Sequence, residues 1–111
     1  MTIKTKVYPK CGEQKKMERK KLAPEEIDQA LSKVNEWEAF DNSLKKRFTF
    51  PNFVESLAFV NKVGDAAEVL DHHPDITFGW GYAEIAITTH DKGGITTKDF
   101  ELAGRIDDLI L

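Results

Sequence analysis

The order of hydrophobic and polar residues changes its period several times along this chain. Three stretches show the three- and four-residue spacing of a helix with one apolar face. The first opens with Pro24, a residue favoured in the first turn of a helix, and closes at Asn35. Its predicted inward face consists of Ile27, Ala30, Leu31 and Val34.

Two further helices are predicted in the second half of the chain. One follows Pro51 and runs out near Asp71. Its predicted inward face consists of Phe53, Leu57, Val60, Gly64 and Ala67. The other follows Thr96, whose spacing to Asp99 is typical of a capping box. Its predicted inward face consists of Phe100, Ala103, Ile106 and Ile110.

Four strands are predicted between the helices, as two hairpins. The segments "WEAFD" and "LKKRFTF" flank a turn at Asn42-Ser43, and "ITFGW" precedes "YAEIAITTH". Alternation in the last segment gives a strand with two distinct faces. One face carries Ala83, Ile85, Ile87 and Thr89, and the other carries Tyr82, Glu84, Ala86, Thr88 and His90.

The predicted element order is α-β-β-α-β-β-α, which places the chain in the α+β class. Two hairpins form a four-stranded antiparallel sheet, and the helices pack on one of its faces. Such a sheet has two open edges, and pairing an edge with a second subunit would cover it. We therefore expect a homo-oligomer.

Composition fits one compact domain without a membrane span. The chain has 111 residues, 41% hydrophobic and 32% charged, and no run approaches about 18 apolar residues. The N-terminus lacks the apolar core of a secretory signal. Cys11 is alone, so no internal disulfide can form, and we expect a reduced, cytoplasmic setting.

Charge divides the chain into two parts. Residues 1–21 hold eight basic and two acidic residues, a net +6, whereas the rest hold eight basic and seventeen acidic residues, a net −9. We expect 1–21 to be a solvated, partly mobile leader that could touch nucleic acid or an acidic partner, and 22–111 to be the domain. The acidic domain argues against a nucleic-acid groove.

The chain has three histidines, and two of them are adjacent: His72, His73 and His90. A metal site is not predicted, because neighbouring side chains diverge, no HExxH motif is present and cysteine support is missing. A structural role remains open, since an imidazolium such as His73 suits the C-terminus of a helix.

Proton transfer is the third interpretation of these histidines. Imidazole exchanges protons near neutral pH, and Pro74 stiffens the turn that carries His72 and His73. Asp71 or Asp99 could orient a ring. Aromatic neighbours for a flat substrate would be Phe78, Trp80 and Tyr82. The pattern favours general acid–base chemistry that needs no cofactor.

These motifs resemble a known family. "EVLDHHPD", followed by "THDKGGITTKDF" with seventeen residues from His73 to His90, is similar to the pterin-4a-carbinolamine dehydratases. The resemblance covers about residues 22–108. It implies dehydration of a 4a-hydroxytetrahydropterin to the quinonoid dihydropterin, in the recycling of the tetrahydrobiopterin cofactor, by protomers that join into dimers or tetramers.

The resemblance also implies roles for single residues. His72 and His90 would form the acid/base pair, and His73 would bind and orient the pterin. Asp71, Pro74, Thr89 and Asp91 would belong to the substrate-binding site, and Asp99 would support His90. Where several members have tryptophan and some have arginine, this chain has Ile76 and Lys98, which bears on the preference for the pterin side chain.

Two other functions remain open. Some members of the family are dimerisation partners of a homeodomain transcription factor, so the chain could be a coactivator-type binding protein. It could also be a dehydratase-like protein that serves a different pterin pathway or an assembly function. A purely binding role would not require all three histidines, and all three are present.

Overall fold

A computed structural model describes residues 21–110, so the predicted leader, apart from Lys21, lies outside the described residues. The α-β-β-α-β-β-α order is confirmed. The elements are α1 (Pro24–Leu31), β1 (Glu38–Phe40), β2 (Ser43–Thr49), α2 (Phe53–Leu70), β3 (Asp75–Gly79), β4 (Tyr82–Ile87), a 3₁₀ turn (His90–Lys92) and α3 (Thr97–Asp108).

The four strands form one antiparallel sheet in the order β1-β2-β4-β3. As the alternation predicts, Ala83, Ile85 and Ile87 are buried, whereas Glu84 on the other face is exposed. The buried face meets side chains from all three helices, so the helices form one layer and the opposite sheet face is open. This α+β architecture leaves β1 and β3 as the edges of the sheet.

The first hairpin turn and the end of α1 differ from the prediction. Phe40 pairs with Ser43, so the two loop residues are Asp41 and Asn42, both with positive φ, rather than Asn42 and Ser43. Helix α1 stops at Leu31 rather than near Asn35, because the following backbone bonds tighten into i→i−3 turns.

The inward face of α2 is rotated from the predicted one. The buried residues are Ser56, Phe59, Val63 and the predicted Ala67, whereas Phe53 and Leu57 are 43% and 40% exposed. The reason is Ser56, whose hydroxyl donates to the Asn52 carbonyl at 3.0 Å and accepts from the Gly81 backbone N–H at 3.1 Å. A buried serine that is fully satisfied interrupts the apolar pattern without leaving the core.

The face of α3 follows the prediction at Ala103 and Ile106, which are buried. Ile110 is exposed, because α3 ends at Asp108 and Ile110 lies past its last turn. The capping box is confirmed: the Asp99 carboxylate accepts the backbone N–H of Thr96 at 2.7 Å. Asp99 is also fully buried, which a capping role alone does not require.

Candidate active site

The C-terminus of α2 sets the position of the paired histidines. Asp71 adopts a left-handed conformation with φ 52°, which ends the helix. The backbone N–H of His72 then donates back to the Ala67 carbonyl at 3.1 Å, the six-to-one bond of a Schellman motif. Lys98 Nζ donates to the Leu70 carbonyl at 2.6 Å and so joins the start of α3 to this end of α2.

His72 points inward from this helix end, and its side chain is 13% exposed. Its Nε2 lies 2.5 Å from Oδ1 of Asp99, the first-turn carboxylate of α3. A carboxylate accepts hydrogen bonds, so Nε2 carries the hydrogen and Nδ1 is left with a lone pair in the neutral ring. Among the described residues, Nδ1 has no hydrogen-bond partner, so this atom can exchange a proton with a ligand.

Asp99 is held by three donors in the interior. Besides His72, it accepts the Thr96 backbone N–H and the Thr89 hydroxyl, the latter at 3.0 Å. The only hydroxyl hydrogen of Thr89 is used there, so the Thr96 hydroxyl donates to Thr89 across 2.8 Å. A buried carboxylate is tolerated when donors of this kind surround it. The imidazole therefore rests on a fixed support.

His73 lies outside this network. Its Nε2 is 2.5 Å from Oε2 of Glu68, one turn back in α2, and both side chains are more than half exposed. An exposed pair of this kind contributes little to stability. The contact with Glu68 does hold the His73 imidazole beside the C-terminus of α2.

His90 follows Thr89 at the end of β4. Thr89 forms an isolated β-bridge with Gly94, which closes the intervening loop and starts the 3₁₀ turn at His90. His90 is exposed, and its ring has no hydrogen-bond partner among residues 21–110. Asp99 was expected to support His90; it contacts His72 instead and reaches the His90 segment only through Thr89.

The remaining predicted site residues differ in burial. Asp71 and Asp91 are exposed at the two ends of the site, Pro74 is half-buried before β3, and Thr89 is buried. The arrangement therefore brings together two chain segments, the α2–β3 connection and the β4–α3 connection. Asp99 is the side chain that links them.

The aromatic residues expected near the substrate are not at this end of the sheet. Trp80 and Tyr82 lie at the β3–β4 turn, and Phe78 lies within β3, three residues or roughly 10 Å along the strand from Asp75. Phe78 stacks on Phe53, with ring centroids 5.8 Å apart, and Tyr82 packs against Arg47 on the open face of the sheet. The β3–β4 turn lies at the end of the hairpin opposite the segments that carry the histidines, so these aromatic residues are distant from them within one protomer.

A groove among the described residues lies away from the histidines. It has a volume of about 490 Å³ on the open face of the sheet, and charged residues of both signs, such as Glu38, Lys45 and Glu84, line it. None of the histidines contributes to its lining. The candidate site therefore lies at the two connections that carry the imidazoles.

Three contributors were not identified as such from the sequence. Thr96 was expected only to cap α3, Glu68 was not singled out, and Lys98 was noted only as a departure from the family. The spacing of Glu68, five residues before His73 across a helix end, is a weak signal. The contact of Lys98 with Leu70 depends on how α2 and α3 pack, which no local pattern encodes.

Two negative findings concern residues 21–110. No group of three histidine, cysteine, aspartate or glutamate side chains there is arranged to hold a metal ion. In the same part of the chain, no helix is both long and apolar enough to cross a bilayer.

Comparison with known sequences identifies the family. Residues 20–109 match the family described as pterin 4 alpha carbinolamine dehydratase. A protein of Picosynechococcus sp., whose name assigns it to the pterin-4-alpha-carbinolamine dehydratases, is 47% identical over 89 residues, 80% of this chain and 97% of the relative. The chain belongs to the pterin 4 alpha carbinolamine dehydratase family.

Two solved structures have related folds. The transcriptional coactivator/pterin dehydratase from Brucella melitensis has a TM-score of 0.77 and 25% identity, over 80% of this chain and 97% of that one. A pterin dehydratase-like protein, described as a RuBisCO assembly factor in the alpha-carboxysome, has a TM-score of 0.54 and 27% identity over 66% of this chain and 84% of its own. The fold thus occurs both in a transcriptional coactivator/pterin dehydratase and in a RuBisCO assembly factor.

Proposed function

We propose that this protein removes water from a 4a-hydroxytetrahydropterin and releases the quinonoid dihydropterin. The observation that carries this proposal is the buried Asp99 carboxylate that holds Nε2 of His72 and leaves Nδ1 available. An imidazole fixed in one tautomer by a carboxylate is a standard arrangement for proton transfer. Family membership supplies the pterin as the substrate class.

In this proposal His72 acts as the base. Nδ1 takes the proton from a ring N–H of the substrate, and the electron pair of that bond forms the new C=N bond at C4a. The imidazolium that results is stabilised by Asp99 at 2.5 Å, as a carboxylate stabilises the imidazolium in other proton-transfer sites.

His90 acts as the acid on the other side of the substrate. It gives a proton to the 4a-hydroxyl, the C4a–O bond breaks, and water leaves. The ring of His90 is exposed and has no hydrogen-bond partner among the described side chains, so it can recover its proton from solvent. His73, positioned by Glu68, binds and orients the pterin, and Asp71, Pro74, Thr89 and Asp91 contribute to its binding site.

The reaction needs no metal or further cofactor, because it moves two protons and breaks one C–O bond without a change of oxidation state. Its product is a pterin that can be reduced again, so we place it in tetrahydropterin recycling. A cytoplasmic setting agrees with a single cysteine in the chain.

The direct test is the rate of dehydration of a 4a-hydroxytetrahydropterin with purified protein. We expect a first-order rate that increases linearly with protein concentration above the buffer-catalysed rate. Circular dichroism of the same sample should show the α+β fold. A well-folded sample with no rate above buffer would contradict the proposal and would favour a binding function, such as the transcriptional coactivation or RuBisCO assembly for which the two structural relatives are named.

We also propose that the protein is a homo-oligomer. Phe53, Val54 and Leu57 leave apolar surface on the outer side of α2, and β1 and β3 are open edges. Exposed apolar surface and free edges of this kind commonly mark an interface. The interface would need about 1,200–2,000 Å² of buried surface to be stable.

Sedimentation equilibrium at 1–100 µM tests this state. We expect a mass of two or four protomers, and a shift toward the protomer mass when Val54 and Leu57 are both changed to glutamate, because the charges would face the partner. Ile110→Glu, a matched change of an exposed apolar residue beyond α3, should keep the oligomer. A wild-type protein that sediments as a single protomer throughout would rule out the proposal.

A further inference from the structure

The edge strand β3 connects the candidate site to the most exposed aromatic residue of the fold. It runs from Asp75, just after the paired histidines, to Gly79, directly before Trp80. Its first end therefore adjoins the site, and its last end adjoins an exposed indole. Two copies of β3 that pair antiparallel about a two-fold axis bring the histidine end of one copy beside the indole of the other.

Of the two sheet edges, β3 is the better suited to such pairing. It has five residues, whereas β1 has three, and it contains neither proline nor lysine, which commonly protect an edge. The Gly79–Tyr82 pair closes the two-residue turn after β3. Ladder hydrogen bonds alternate from that pair, so the backbone groups of Ile76 and Phe78 point away from β4. No strand of residues 21–110 pairs with β3 on this outer side.

The side chains of β3 favour one register for this pairing. With Ile76 opposite the partner's Phe78, two outward-pointing residues exchange their backbone hydrogen bonds, and the two-fold axis repeats the pair. Both side chains are half-buried, and a β-branched residue packs well opposite an aromatic one. Asp75 then faces the partner's Gly79, so no carboxylates oppose each other. Phe53, part of the apolar surface of α2, stacks on Phe78, so this interface continues onto that surface.

This register places Trp80 of one copy at the site of the other. The partner's Trp80 comes opposite Pro74 and beside His73, and directly opposite residues of a ladder have Cβ atoms about 4.5–5.5 Å apart. Trp80 is the most exposed aromatic side chain of residues 21–110, at 71%, and stacks on no other ring there. The packing of a single protomer therefore gives this indole no role.

We propose that two copies of this chain pair through β3 and that the partner's Trp80 completes the site by stacking on the face of the bound pterin. This inference rests on the proposed dehydratase function. The indole gives the flat heterocycle a large apolar surface, while the imidazoles act on the atoms of the ring. Each site is then incomplete in a single protomer, because its base and its stacking wall come from different copies.

Replacing Trp80 by alanine tests the stacking wall. We expect KM for a 4a-hydroxytetrahydropterin to rise about tenfold, the range of a lost stack between a flat heterocycle and an aromatic ring. The value of kcat should stay within about twofold, because stacking contributes equally to binding of the substrate and of the transition state. Trp80→Phe should recover most of the loss. Phe40→Ala, a similarly exposed aromatic residue on β1, should leave both constants unchanged.

Mixed oligomers test whether the indole comes from the partner. Trp80→Ala and His72→Ala chains are co-expressed in equal amounts, and the rate at substrate concentrations below KM is compared with the mean of the two separate variants. A mixed pair has one site with both residues intact, so random pairing should give about one quarter of the wild-type rate, roughly fivefold above that mean. His90→Ala in place of His72→Ala should give the same restoration.

Three outcomes would overturn the inference and leave the dehydratase function standing, because the wild-type protein still reacts. They are a wild-type KM in folded Trp80→Ala, a co-expressed sample whose rate equals the mean of the separate variants, and an active protein that sediments as a single protomer. A full-length wild-type chain with no dehydration rate above buffer would instead contradict the proposed function, and this inference with it.

Discussion

Replacing His72 by alanine is expected to lower kcat for pterin dehydration by about 10²- to 10⁴-fold, the usual contribution of a positioned proton-transfer group. The change removes the ring that Asp99 holds and with it the proton acceptor at Nδ1. Stopped-flow absorbance under single-turnover conditions measures this step directly. His90→Ala should show a loss of similar size, since both protons must move in one reaction.

Folding and chemical rescue separate this prediction from a merely structural effect. His72→Ala should keep the wild-type circular dichroism spectrum, and added imidazole should restore part of its rate by entering the space beside Asp99. Thr77→Ala, an exposed substitution on β3, should leave kcat unchanged. Wild-type activity in folded His72→Ala, or a lost fold with no rescue, would remove His72 from the role of base.

Replacing Asp107 by alanine is expected to lower the free energy of unfolding by roughly 3 kcal/mol, because it leaves a buried charge and a buried indole without their partner. The Asp107 carboxylate accepts Trp37 Nε1 at 3.0 and 3.1 Å and forms a 2.9 Å ion pair with Lys46. The side chains of Lys46 and Asp107 are only 8% and 19% exposed. Urea denaturation followed by circular dichroism gives the change.

The neighbouring residue and a paired substitution serve as controls for Asp107. Asp108→Ala removes the same charge from an exposed position of α3 and should change stability by no more than about 0.5 kcal/mol. The double variant Lys46→Met/Asp107→Leu should lose less than Asp107→Ala, since it buries no unpaired charge. Equal stability of Asp107→Ala and the wild type would show that this ion pair contributes nothing net.

The fold could be predicted from the sequence because its strands and helices have clear periods. The alternation from Ala83 to Ile87 specified the buried face of β4, and the Thr96–Asp99 spacing located the start of α3. The face of α2 was predicted correctly at Val60 and Ala67 but not at Phe53 and Leu57, because a polar residue, Ser56, occupies the core and bonds to a turn distant in sequence. Local pattern cannot show a partner that tertiary packing supplies.

The candidate site shows the same division. The sequence pointed to the histidines and to Asp99 as residues of one site, but it could not show which ring Asp99 contacts. That choice depends on how the start of α3 meets the end of α2, where Lys98 and His72 both reach across. The expected aromatic neighbours were placed by nearness in sequence, and the hairpin carries Trp80 and Tyr82 to the opposite end.

The double use of Asp99 has a consequence for how this protein can evolve. One carboxylate both caps α3 and holds His72, so a substitution there weakens the helix and releases the ring at once. In many enzymes the active-site residues lower the stability of the fold, and substitutions that remove activity make the protein more stable. Here a substitution of Asp99 is expected to lower both stability and activity. Selection for thermal stability alone would therefore also preserve the residue that holds His72.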